Sequence, residues 1–176
     1  LGSTDPSSSR IRLRRLIRPG EVLVSPDAFV RSTPAAQRRV QLEKALVGHR
    51  RTLIDLSLAF GTDCEQFEDR ASLDLLLRFT SGRSLLVEVK TVKRNPVDVA
   101  RLAVAQLYEY RYRLRGDPPE SPVLAICFDR PLGGPEWLLP YITDDRGINV
   151  LWPRGSGFAT RGPQSTWLGE QLAARS

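Results

Sequence analysis

Two apolar stretches, 71–79 and 84–91, are joined by Thr80-Ser81-Gly82-Arg83, and this pairing constrains the fold more than any other part of the sequence. β-Forming residues on either side of a short, turn-rich link spell a hairpin. The second stretch carries the apolar run Leu85-Leu86-Val87 and Val89, as a strand covered on both faces would. Charged groups nevertheless sit inside these strands, Asp74, Glu88 and Lys90 foremost among them. A buried carboxylate or ammonium is costly unless it is paired or bound to a metal. Side chains alternate along a strand, so Glu88 and Lys90 share one face while Val87 and Val89 take the other. Closing the hairpin brings Asp74 toward the same end of the sheet. Two readings follow. The carboxylates can share a hard, oxygen-seeking cation such as Mg²⁺, with Mn²⁺ as a substitute, and Lys90 beside it can orient or help deprotonate an attacking water and stabilise charge on a phosphate. Alternatively, the three form a buried carboxylate–lysine salt bridge in an ordinary core.

The remaining sequence supplies the setting. Ser32 or Thr33 before Pro34 starts a long helix that runs to about Phe60 and stops at Gly61, with Gly48 placed to break it in two. Val40, Ala45, Leu46, Leu53, Leu56 and Phe60 give this helix an apolar side. Asn95-Pro96 opens a helix expected from Val97 to Leu114 and ended by Gly116-Asp117-Pro118-Pro119. Val123–Phe128 reads as a buried strand, 135–143 as helical, 144–147 as a turn and 148–152 as a last strand. Residues 1–9 read as a tag remnant or disordered tail. Residues 10–31 read as a basic strand or arm, whose arginines either solvate a sheet edge or meet anions. The main domain is expected over 32–160, followed by a tail, 161–176, with a short helix at 165–174. The element order implies an α/β fold with a central mixed β-sheet flanked by helices.

Composition narrows the chemistry. The 176 residues carry a formal charge of +6, which favours a polyanionic partner. The sequence has one histidine, His49, which excludes chemistry built on several histidines and leaves carboxylates, Lys or backbone to carry any reaction. On a basic helix, a single His is more often a bystander. No apolar run approaches the roughly 20 residues of a membrane span, so no membrane partner is expected. Cys64 and Cys127 make no disulfide framework, and no charged-then-apolar leader opens the sequence, so a reducing, cytoplasmic setting is expected.

Asp74, thirteen intervening residues and then Glu88-Val89-Lys90 resemble the D…ExK core of the PD-(D/E)xK nuclease superfamily, the restriction-endonuclease-like fold. Leu73 stands where that motif has proline. Gln106 and Tyr110, four apart on the following helix, are similar to the Q-x-x-x-Y motif of RecB-type and restriction-type members. The resemblance implies a restriction-endonuclease-like core and a Mg²⁺-dependent deoxyribonuclease, an endonuclease of restriction or anti-phage defence or of DNA repair. It further implies that Asp74, Glu88 and the Val89 carbonyl hold the metal and that Lys90 serves the nucleophile. Glu43 on the first helix is the candidate third carboxylate, with Asp55, Glu68 and Asp69 as competitors. In the resemblance Gln106 reaches toward the active-site end of the strands, Tyr110 supports it or the bound strand, and Lys93, Arg101 and Arg111 meet phosphates. DNA is the expected partner, with RNA as the alternative. A domain of this size that cuts both strands needs to form a homodimer or borrow a companion subunit. The rival reading is a nuclease-fold module that binds DNA or a protein partner, within a larger complex, without cutting.

Overall fold

The computed structural model describes residues 14–15, 34–61, 64–69, 73–92, 95–116 and 120–173, with side chains from residue 47 onward, Asp69 excepted. The expectations for 1–9 and for most of 10–31 lie outside these residues, as do Lys93 and the stretch 117–119. The chain is an α/β protein with a mixed sheet flanked by helices.

The sheet comprises β1 (Arg14–Arg15), β2 (Cys64–Asp69), β3 (Leu73–Phe79), β4 (Ser84–Lys90), β5 (Val123–Phe128), β6 (Asn149–Arg154) and β7 (Gly157–Arg161). Six of these are full strands, and the two-residue β1 extends one edge. Order in the sheet follows order in the chain. β1 through β4 pair antiparallel, β4–β5 and β5–β6 are parallel, and β6–β7 closes antiparallel. Among the described residues four α-helices flank the sheet: α1 (Pro34–Phe60), α2 (Pro96–Arg113), the short α3 (Leu138–Pro140) and α4 (Ser165–Ala173).

The expected hairpin forms. Phe79 N–H donates to the Arg83 carbonyl at 2.9 Å, and Gly82 adopts φ +84°, a left-handed turn geometry that glycine accepts without steric cost. The alternation of β4 splits the core. Leu85, Val87 and Val89 pack with Leu53, Leu56 and Phe60 of α1 and Leu168 of α4. Leu86, on the opposite face, packs with Ala103, Leu107 and Tyr110 of α2. The helix α2 starts where Asn95 caps it, its side chain accepting from Val97 N–H at 3.1 Å, with Pro96 in the first turn.

Four expectations need correction. Gly48 does not break α1, which is continuous over 27 residues; one glycine costs a helix only about 1 kcal/mol. Residues 64–69, read as no element, form β2, whose polar sequence Cys-Glu-Gln-Phe-Glu-Asp is held by pairing with β3. Strand β6 is not the last, because β7 follows across the turn at Gly155, where φ is +61°. The helical stretch at 135–143 is confined to α3 and a wide helical turn at Tyr141–Asp145. The C-terminal helix forms as expected and belongs to the core, since Leu168 is fully buried.

Candidate active site

The site arises where β3 and β4 part. Their ladder runs from Arg78↔Ser84 to Leu75↔Val87 and stops. At the next step the Asp74 side chain takes over from the backbone, and its Oδ2 accepts the Val89 N–H at 2.8 Å. A strand residue presents its N–H and C=O to the same edge, so the Val89 carbonyl faces the gap that Asp74 occupies. Strand β4 is fixed at its end from the other side: Asp129 N–H donates to the Lys90 carbonyl at 3.0 Å, and Asp129 Oδ1 accepts the Val92 N–H at 2.8 Å.

Glu88 is 3% exposed, and its Oε1 accepts from the Lys90 ammonium. Its second oxygen, Oε2, is buried without a hydrogen-bond partner. Burial first, and then the charge of Asp74, push the Glu88 carboxyl up to about 7, against the opposing pull of Lys90. Lys90 thus pairs with Glu88, and Glu88 feels the charge of Asp74.

His49 is the residue that sequence reasoning set aside as a bystander. Its Nε2 lies 3.2 Å from Asp74 Oδ2, reaching from α1 across to β3. The hydrogen bond with Asp74 is the main reason its imidazole is held above the ordinary range, against a partial loss from burial. Gln106 Nε2 donates to the Tyr110 hydroxyl at 3.0 Å, while Gln106 Oε1 is buried without a partner. Tyr110 is pushed up to about 12 by burial and next by the charge of Glu88, so the Gln–Tyr pair lies in the field of the carboxylates. The Tyr110 ring is buried, which sets it beneath Gln106 rather than on a surface where a bound strand would lie.

Other candidates fall away from the cluster or outside the described side chains. Glu43 lies on α1, in the part whose side chains are not described. Glu68 is buried against Arg50, with Nη1 to Oε2 at 2.6 Å, and Asp55 is exposed opposite Arg51. Asp69 is placed by its backbone alone, opposite Leu73. Arg101 is exposed in the second turn of α2, and Arg111 lies over the Tyr108 ring near its end.

The donor set fits a hard divalent cation. Asp74 stands at the gap that the Val89 carbonyl faces, Glu88 feels the Asp74 charge and keeps Oε2 as an orphaned buried acceptor, and Mg²⁺ typically takes only one or two carboxylates from a protein. Among the described residues no three His, Cys, Asp or Glu side chains form a ready-made metal cage. Fold and site together define an α/β protein with a carboxylate–lysine cluster where two strands of its sheet diverge. Comparison with protein-family models, curated proteins and solved structures returned no match.

Proposed function

We propose that this protein is a metal-dependent deoxyribonuclease of the PD-(D/E)xK kind, with a restriction-endonuclease-like core. The observation that carries the reading is the side-chain splice at the β3–β4 gap: Asp74 replaces a ladder bond beside Val89, while Glu88 keeps a buried, uncommitted oxygen next to Lys90. An ordinary core avoids such an orphan because it is costly. Asp74, Glu88 and the Val89 carbonyl would hold Mg²⁺ or Mn²⁺. When bound, the cation supplies Lewis-acid charge that offsets the negative charge building on a phosphate under attack. Lys90 adds a second positive group, able to orient water and donate to a phosphate oxygen. His49 positions Asp74 by holding Oδ2, and Gln106, braced by Tyr110, lines the approach. Arg101 and the net charge of +6 favour the DNA backbone.

A second reading keeps the fold and drops the chemistry. The Lys90–Glu88 ion pair already neutralises one carboxylate, as it would in a module that binds nucleic acid or a protein partner without cutting.

The full chain with Mg²⁺ or Mn²⁺ is expected to cleave plasmid or linear DNA. Glu88→Ala and Lys90→Ala are each expected to abolish cleavage while leaving the circular dichroism spectrum unchanged. DNA that is bound but never nicked with any divalent ion, with equal binding by both variants, would establish the binding module instead.

A further inference from the structure

The C-terminal end of α2 and the turn just past it carry two interleaved rows: Tyr108 and Tyr112, and Arg111 and Arg115. The spacing places each arginine one turn beyond a tyrosine, and each guanidinium covers a ring. Arg111 lies 4.6 Å from the Tyr108 centroid and Arg115 lies 4.3 Å from that of Tyr112. Tyr108 is anchored, its hydroxyl donating to the Arg146 carbonyl at 2.8 Å. Tyr112 is 63% exposed, an unusual placement for a large ring that packs against no core. Both pairs line one open cavity of about 560 Å³, whose lining also includes Glu120 and Pro122. Among the described residues no carboxylate pairs with either arginine.

Rings each covered by a guanidinium beside a cavity of this size suit a flat, electron-rich ring, and arginines without a carboxylate partner among the described residues suit the phosphate attached to it. Glu120 argues against a bare phosphate in the cavity and for the base itself, since a carboxylate accepts hydrogen bonds from exocyclic amino groups but repels anions. Bases in a duplex are stacked and paired, so only an unpaired nucleotide can enter.

We propose that this cavity holds an unpaired base of single-stranded nucleic acid, with Arg111 and Arg115 on its flanking phosphates. Pro122 precedes β5 at the end opposite Phe128, which stands level with Lys90. At about 3.3 Å per strand residue the cavity lies roughly 20 Å from the carboxylate cluster. The cavity is thus a separate subsite for a strand that also reaches the cluster. This rests on the nucleic-acid part of the reading above and not on hydrolysis.

The test is fluorescence anisotropy with a labelled 12-nucleotide single strand and a blunt duplex of the same length, using the full chain in EDTA so that no cleavage intervenes. The wild type is expected to prefer the single strand. Tyr112→Ala and Arg115→Ala are each expected to weaken single-strand binding by about tenfold while leaving duplex binding unmoved. Both residues are exposed, and matched thermal melts verify that the variants fold. Equal affinities of wild type and variants for the single strand overturn the proposal. Polyglutamate competing as well as the single strand, with Tyr112→Ala indifferent, overturns it in favour of an acidic protein partner. Loss of binding in the variants combined with absence of cleavage under Mg²⁺ sustains this subsite while removing the nuclease reading. Cleavage with unaffected variants does the reverse.

Discussion

Glu88 is held in a state the unfolded chain would not choose. Its carboxyl is raised from 4.5 to about 7, so between those values the folded protein binds more protons than the unfolded one and loses stability as pH rises. Above about 7 the cost is constant. Replacing Glu88 by Gln removes it, so in EDTA the melting temperature of Glu88→Gln relative to wild type is expected to rise by several degrees between pH 5 and pH 8, as read in paired thermal melts. A gap that is flat across that range would show that Lys90 fully compensates the buried charge. The cluster of Asp74, Glu88 and Lys90 was legible because strand alternation is a local rule and the turn between the strands is short. His49 was not legible. Its contact with Asp74 spans 25 positions and depends on how α1 docks on the sheet, which no local pattern encodes.

At the scale of elements, the strands that announced themselves are those whose composition matches their burial. β4 and β5 are apolar and buried almost throughout. β2 is polar, and β7 is short and half-exposed, so pairing with a neighbour rather than side-chain pattern decides both. The junction from β7 into α4 shows how tightly such an element is fitted. Gly162 sits at φ +131°, and a Cβ there would lie 2.8 Å from the Asn149 Cα. Asn149 is fully buried; it donates to the Leu124 carbonyl at 3.1 Å and accepts Gln164 N–H at 2.8 Å, tying β5, β6 and the approach to α4. Gly162→Ala is therefore expected to cost roughly 2–3 kcal/mol through backbone strain and overpacking, measured by urea unfolding. A loss below about 0.5 kcal/mol would mean the junction yields freely.

For the molecule as a whole, the sheet needs both of its faces covered. α2 covers one, and α1 with α4 covers the other, where Leu168 is fully buried and Trp167 meets Phe79 edge-on at 5.2 Å. Leu168→Ala is expected to destabilise the entire domain by about 2–5 kcal/mol in a single cooperative transition. A separate early transition for α4 would mark it as an appendage. No helix among the described residues is long and apolar enough to cross a membrane.

The coincidence of strand order with chain order has a consequence for how the protein acquires its shape. No strand must be threaded between two already joined, so the sheet can grow by adding each new strand to an open edge as synthesis proceeds. The antiparallel pair β3–β4 closes over a short turn and forms early, whereas β5 must wait for the whole of α2 and a crossover to deliver it. During that interval Glu88 and Lys90 stand at a sheet edge with water as their solvent. Their burial is completed when α2 covers their face of the sheet and β5 pairs with their strand. The step that carries the sheet past β4, with β6 and β7 still to follow, is also the one that withdraws the charged cluster from water.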